Sequence, residues 1–228
     1  MPVVAGLDGC RGGWLMVRLD TSERRVSAVL APSWPALDLS GLDLAAVDMP
    51  IGLADLGPRA CDLAARALLP RGRKASVFAP PRRYMLACAS WRSAQAEGRR
   101  REGVGLSKQS GNLIAKIAEI DRHIGPRDQA RLREAHPELI FHNLNGWRAL
   151  PPKKTPEGAR RRQAILARHG LVLAPGALPF PHRLAGEDDL LDAAACALAA
   201  ERALAGRGCR LPPDPARDRR GLSMEIWY

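Results

Sequence analysis

The chain has 228 residues, of which 46% are hydrophobic and 26% are charged. This composition excludes wholesale disorder, a collagen-like repeat and a disulfide-dense miniprotein. Lys and Arg number 35 and Asp and Glu number 24, so the net charge is +11, and a positive field of this size attracts phosphates and other anions.

The cysteines favour a reducing compartment. They are odd in number and widely spaced, and they form no C-x-x-C pair, which argues against a disulfide framework or a zinc knuckle. The N-terminal stretch has no basic region followed by an apolar run, and the longest apolar stretch near the C-terminus is too short to span a bilayer. We therefore expect a cytoplasmic protein with no membrane association. The cysteines are Cys10, Cys61, Cys88, Cys196 and Cys209.

The first fifth of the chain predicts four strands. Residues 3–8, 14–19 and 26–31 are short apolar or alternating runs joined by tight turns, which is typical of an antiparallel meander. Residues 43–48 form a fourth strand, which is apolar between its two terminal aspartates. An apolar strand of this kind is buried on both faces, so we expect a sheet covered by helices.

The remainder of the chain is mostly helical in pattern. Helical spacing of apolar residues alternates with one further apolar run that resembles a strand. The sequence therefore predicts a single mixed α/β domain over residues 1–228, with a helical insertion at about 58–125 after the fourth strand. The predicted helices are 59–69, 113–124, 127–135, 157–169 and 187–205, and the predicted later strand is 138–144.

Four aspartates stand where distant parts of the chain can meet. Asp8 ends the first strand and Asp48 ends the fourth, while Asp189 and Asp192 share one face of the last helix. That helix is apolar nearly all round, so carboxylates beside it need a compensating charge. Mg²⁺ or Mn²⁺ suits such oxygen ligands, and two ions roughly 4 Å apart would clamp the attacking and leaving oxygens of a phosphodiester. If the two strands are neighbours, three or four aspartates come together in space. Such a site would carry out the chemistry of a metal-dependent nuclease.

Each aspartate also has an ordinary structural interpretation. Asp8 precedes a glycine, as turn residues often do. Asp48 is compatible with a loop cap, and Asp188 and Asp189 complement a helix N-terminus. Asp192 fits these roles less well because it lies beyond the first turn of an apolar helix.

A basic segment follows in the second half of the chain. Lys153 and Lys154 lie in a proline-rich loop, and Arg160 and Arg161 open the next helix. These side chains are candidates for contacts to a nucleic-acid backbone, with a solvated charged face as the alternative. Glu138, at the start of the predicted strand, is a candidate additional metal ligand, with an ion pair at a strand end as the alternative.

A series of motifs gives the chain a family resemblance over almost its whole length. The sequence resembles the predicted RNase H-like nuclease family catalogued as domain of unknown function 429. The matching segments are GLDGCRGGW at 6–14, DMPIGL at 48–53, RACDLAARALL at 59–69, ASVFAPP at 75–81, LSKQSGNLIAKIAEID at 106–121, EAHPELIF at 134–141, PKKTPEGARRR at 152–162, EDDLLDAAACALAAERALAG at 187–206 and RGLSMEI at 220–226.

The resemblance implies an RNase H-like fold, with Asp8 and Asp48 as the aspartates of the first and fourth strands. The segment from Asp189 to Asp192 is similar to the D-x-x-D-A terminal-helix signature of RuvC-type resolvases. The family resemblance also places a Lys-Lys-Thr motif at 153–155. The predicted activity is that of a nuclease or resolvase that acts on DNA or RNA through two Mg²⁺ or Mn²⁺ ions.

Two other functions compete with hydrolysis. An ATP-dependent phosphotransferase of the actin-like type shares the same core fold and also has a glycine turn after its first-strand aspartate. Against it, the chain is short for two such lobes and has no G-x-x-x-x-G-K-[ST] loop. A non-catalytic nucleic-acid-binding protein is the third hypothesis, but carboxylates facing phosphates would weaken its binding.

Overall fold

A computed structural model describes residues 2–174 and 179–228. The chain divides into two compact units, which we call the sheet unit and the helical unit. The sheet unit comprises Met1–Met49, Ala130–Arg210 and Trp227–Tyr228, and the helical unit comprises Pro50–Gln129 and Leu211–Ile226.

The sheet unit is built on a mixed sheet. Within the described residues this sheet has five strands in the order β3-β2-β1-β4-β5. The first three strands form an antiparallel meander, while β4 runs parallel to β1 and β5 runs parallel to β4. The mixed α/β architecture predicted from the sequence is confirmed, and it is consistent with an RNase H-like fold. The strands are β1 (Val3–Cys10), β2 (Gly13–Asp20), β3 (Val26–Ala31), β4 (Leu44–Asp48) and β5 (Leu132–Glu134).

Among the described residues of the sheet unit, three helices follow β5: α5 (Pro137–Leu144), α6 (Pro156–Arg168) and α7 (Glu187–Leu204). Helix α7 packs on β1, β2 and β4, and both α5 and α6 pack against α7. Gly6 permits this close approach, because a Cβ at that position would lie 1.9 Å from the carbonyl oxygen of Ala193. Side chains alternate along a strand, so Asp8 points to the same face of the sheet as Gly6, toward α7.

Two local predictions are wrong. Residues 138–144 form helix α5 rather than a strand, because Pro137 starts a helix and its apolar residues are buried on several sides, which hides the helical period. Residues 127–135 are not a helix, since a short 3₁₀ turn at Asp128–Ala130 is followed by β5. The fifth strand therefore precedes the segment in which it was predicted.

The helical unit carries the four helices that separate β4 from β5 in the chain. The predicted helices 59–69 and 113–124 are confirmed as α1 and α4, whereas α2 and α3 were not predicted individually. The helices are α1 (Ala60–Leu68), α2 (Trp91–Glu102), α3 (Lys108–Asn112) and α4 (Ile114–His123), with 3₁₀ turns at Arg71–Ser76 and Arg83–Ala87.

A further 3₁₀ turn, Trp34–Ala36, follows β3, and a separate two-stranded sheet joins β6 (Arg210–Leu211) and β7 (Ile226–Trp227).

Arginine–aspartate pairs bind distant segments of the helical unit together. Arg83 donates from Nη1 and Nη2 to the two carboxylate oxygens of Asp121, at 3.0 and 3.1 Å. Arg83 also pairs with Asp218, and Arg220 pairs with Asp121 at 3.0 Å. In the described part of the chain, no helix is both long enough and apolar enough to cross a membrane.

Candidate active site

Two parallel strands place Asp8 and Asp48 side by side. The two residues are direct partners in the β1–β4 register. Asp8 is buried and Asp48 is partly buried. Neighbouring strands lie about 4.8 Å apart, so the two side chains point the same way from adjacent positions. Strand β1 continues to Cys10, so Asp8 lies within a strand and not in the turn that its glycine neighbour suggests.

Helix α7 brings a third aspartate to this face of the sheet. Asp192 is buried on the second turn of α7 and is 4% exposed. We call Asp8, Asp48 and Asp192 the acidic cluster. Asp189 lies one turn earlier, where its Oδ2 accepts a hydrogen bond of 2.8 Å from the amide of Gly186 at the helix start. Asp189 thus caps α7, which is the structural role considered for it, and it also stands close enough to raise the pKa of Asp8.

Lys153 supplies the cation beside the acidic cluster. Its Nζ donates to Oδ2 of Asp192 at 2.6 Å. The sequence offered Lys153 as a contact for nucleic acid, and the structure places its ammonium on a carboxylate of the acidic cluster. Burial disfavours its charged form, but attraction from Asp192, Asp48 and Asp8 more than compensates, so the pKa of Lys153 is raised.

The acidic cluster carries less positive charge than its carboxylates need. Burial raises the pKa of Asp48 to about 7, although Lys153 opposes the change. Burial raises the pKa of Asp192 to about 6, with Lys153 opposing and Asp48 contributing to the rise. The pKa of Asp8 is raised well above its usual value by burial and then by repulsion from Asp48, Asp192 and Asp189. Displaced carboxyl pKa values at one place are typical of functional sites.

A buried thiol adjoins the acidic cluster. Cys196 lies one turn after Asp192 on α7 and is completely buried. Burial and then repulsion from Asp48, Asp8 and Asp192 raise the pKa of this thiol well above its ordinary value. A thiol in this state is a poor nucleophile, so Cys196 acts as a neutral wall of the site.

A buried arginine holds the loop that carries Lys153. Arg162 is 1% exposed, and its Nη1 donates to the carbonyl oxygens of Pro151 and Gly158 at 3.0 and 3.3 Å. Its Nη2 donates to Oε2 of Glu138 at 2.8 Å. Glu138, the candidate fifth metal ligand, is therefore engaged by an arginine, on helix α5. The ion pair considered for Glu138 is present, although at a helix start instead of a strand end.

The other predicted basic residues lie on the surface of the same unit. Lys154, Arg160 and Arg161 are all exposed. Lys154 follows Lys153 in the loop before α6, and the two arginines lie on the first turns of α6. Arg161, unlike Arg160, lines a surface cavity beside this helix.

The donor chemistry of the acidic cluster suits a hard divalent cation. Asp8 and Asp48 offer adjacent carboxylates whose pKa values are raised, in both cases first by burial. Across residues 2–174 and 179–228, no group of three or more His, Cys, Asp or Glu side chains is arranged to hold a metal ion. Mg²⁺ does not require such a group, since proteins often hold it through one or two carboxylates while water and substrate phosphates complete its shell.

The residues of the acidic cluster lie in a region that a protein-family model matches. The family model described as "Protein of unknown function (DUF429)" matches residues 6–217, which is nearly the entire chain. The chain belongs to this family. No curated protein and no solved structure matches it. Asp8, Asp48, Lys153 and Asp192 all fall inside the matched region of this DUF429 protein.

Sequence reasoning missed the residues that support the acidic cluster. Arg162 is not among the candidates named from the sequence, although its spacing from Ile165 and Leu166 on α6 is that of a buried helix face. Cys196 was counted only as a scattered cysteine. The contact between Lys153 and Asp192 spans 39 residues and leaves no local signal in the sequence.

Proposed function

We propose that this protein is a metal-dependent phosphodiester hydrolase that cleaves DNA or RNA at the acidic cluster. The observation that carries the proposal is the convergence of Asp8, Asp48 and Asp192 from two strands and a helix, with Lys153 as the adjacent cation. A site with excess carboxylate attracts a divalent cation, and the +11 charge of the chain attracts the polyanionic substrate.

Asp8 and Asp48 are the residues that would hold the Mg²⁺ or Mn²⁺. When bound, such an ion stabilises the charge that develops on the phosphoryl oxygens and favours ionisation of an attacking water. The chain's own groups then orient the substrate and move the proton. Two ions are expected, as in other two-metal phosphodiester hydrolases.

Asp192 and Lys153 have separate parts in the proposed reaction. Oδ2 of Asp192 holds Lys153, so the ammonium stays beside the phosphate that is attacked. Among the described residues, Oδ1 of Asp192 has no hydrogen-bond partner, and a pKa of about 6 suits a general base near neutral pH. The water oxygen bonds to phosphorus while one of its protons passes to Oδ1 of Asp192, and the ester P–O bond breaks as the leaving oxygen takes a proton from solvent water.

A cleavage assay tests the proposal directly. Labelled single-stranded, duplex, RNA–DNA hybrid and branched substrates are incubated with purified protein and Mg²⁺, Mn²⁺ or a chelator. We expect cleavage of at least one substrate with metal only. Asp8→Asn should slow it by about 10²–10³-fold, because several kcal/mol of transition-state stabilisation are lost.

The matched control is Asp214→Asn, which removes the same charge at an exposed position. This variant should cleave like the wild type. Equal cleavage by Asp8→Asn and Asp214→Asn, with both proteins folded, would remove the acidic cluster from the proposed reaction.

A further inference from the structure

A basic cavity lies beside α6, and its lining residues do not include the aspartates of the acidic cluster. Its volume is about 470 Å³. It is lined by the C-terminal end of α5 through Asn145, by the loop that follows, and by one face of α6. Arg161 and Arg168 come from that face and Arg148 comes from the loop.

The charges around this cavity are mostly uncompensated. Arg148, Arg161 and Arg168 stand against one carboxylate, that of Glu157. In the described part of the chain, the guanidinium groups of Arg148 and Arg161 have no ion-pair or hydrogen-bond partner. Arg168 donates a hydrogen bond of 3.3 Å to Oδ1 of Asn145, a neutral partner that leaves the charge available.

The floor of the cavity is apolar. Leu150 and Ile165 line it and are 7% and 2% exposed. A simple anion needs no such floor, whereas a nucleotide has both a phosphate and a planar base. Guanidinium forks bind phosphate through paired hydrogen bonds, and their flat faces also stack on bases.

We propose that this cavity binds one nucleoside phosphate unit of a single-stranded nucleic acid. The inference rests on the proposed function for the nature of the strand. Leu150 and Pro151 line the cavity, and Lys153 follows two residues later, within about 7 Å of extended chain. A strand held in the cavity therefore lies beside the loop that reaches the acidic cluster.

Binding measured without metal tests the inference apart from hydrolysis. Fluorescence anisotropy follows a labelled single-stranded oligonucleotide in chelator with wild type, Arg148→Ala and Arg161→Ala. We expect each variant to weaken binding by about 5–10-fold and to lower the salt slope by about 1, as for a lost phosphate contact. Arg161→Lys should lose only part of the affinity, because it keeps the charge and loses the fork.

Arg207→Ala is the matched control. Arg207 is exposed in the same unit and does not line the cavity, so its loss should weaken binding less than about twofold. Equal losses in Arg161→Ala and Arg207→Ala would show diffuse attraction and overturn the inference. All variants lie at the surface, and unchanged melting temperatures confirm that they fold.

Competition identifies the part of the nucleotide that is recognised. Adenosine monophosphate should displace the oligonucleotide at a concentration where inorganic phosphate does not. Equal displacement by the two would reduce the cavity to a simple anion site and overturn the nucleoside part of the inference. If a mononucleotide binds but Arg161→Ala leaves the oligonucleotide affinity unchanged, the claim that the cavity binds a unit of a nucleic-acid strand is contradicted.

The two proposals fail separately. If wild-type protein cleaves nothing but Arg161→Ala still weakens binding, the hydrolase proposal fails and the cavity stands. If cleavage depends on Asp8 but Arg148→Ala and Arg161→Ala bind like the wild type, the cavity fails and the hydrolase proposal stands.

Discussion

In the helical unit, Asp121 faces two guanidinium groups, those of Arg83 and Arg220, and Asp218 shares Arg83. In the sheet unit, three carboxylates of the acidic cluster share the ammonium of Lys153. Both regions remove carboxylates from water. The first compensates each of them with arginine, and the second leaves them short of positive charge.

The difference separates a structural role from a functional one. Removing either partner of a carboxylate–arginine pair destabilises the fold, because the other charge is then left without its partner. Carboxylates that repel one another lower the free energy of unfolding, so their retention requires a reason outside stability. In the sheet unit that reason is the proposed binding of a cation and a phosphate.

The first prediction compares an aspartate-to-asparagine substitution in the two regions by its change in the free energy of unfolding. Asp121→Asn should lower the free energy of unfolding by about 1.5–3 kcal/mol, because Arg83 and Arg220 lose their charged partner. Asp48→Asn should raise it at pH 8 by about 1–3 kcal/mol, because an amide carries no charge to bury. Urea unfolding of both variants in chelator measures the two changes.

Cleavage should respond in the opposite sense. Asp48→Asn is expected to lose activity while it gains stability, and Asp121→Asn is expected to keep activity at temperatures well below its melting point. A loss of stability in both variants would show that Asp48 is a structural residue, and the contrast between the regions would be lost.

A smaller effect is expected when the cation of the acidic cluster is removed. Lys153→Gln should raise the pKa values of Asp8, Asp48 and Asp192 still further, since Lys153 lowers all three. We expect the pH at which cleavage reaches its half-maximum to move upward and the melting temperature at pH 8 to fall by about 2–4 °C.

Lys154→Gln provides the comparison for that variant. Lys154 is the adjacent residue, is exposed and carries the same charge, so its loss should leave the melting temperature unchanged. If Lys154→Gln moved the melting temperature as much as Lys153→Gln, the contact between Lys153 and Asp192 would not explain the effect of Lys153→Gln on stability.

The last prediction concerns the pH dependence of stability without metal. Asp48, with an ordinary pKa of 3.8, has a pKa of about 7 in the folded protein. The folded state therefore binds its proton more tightly than the unfolded state does. The resulting stabilisation is complete below about pH 4 and disappears as the pH rises through 7.

This dependence is measured as a difference, because other groups also titrate. The melting temperature of Asp48→Asn minus that of wild type, in chelator, should grow between pH 5 and pH 8. A difference that stays constant over this range would mean that Asp48 does not carry the proton assigned to it.

The strands and the terminal helix were predictable because their signals are local. Each of these elements contains enough apolar residues to predict its own burial, as in the runs at 3–8 and 43–48 and in the long C-terminal helix. The segment after Pro137 was assigned to the wrong class because a short run that is apolar on every side has no period to read. The aspartates were recognised as candidates by their positions at the ends of predicted elements.

The residue types at the ends of β1 and β4 and on α7 can be read from the order of amino acids, and so can the family. The fold is what brings α7 close to the sheet at Gly6, Lys153 to Asp192, and Glu138 to Arg162. Hydrophobic period acts over neighbouring residues and can be read along the chain. Charge pairing acts through space between segments tens of residues apart, so its partners are chosen by the fold.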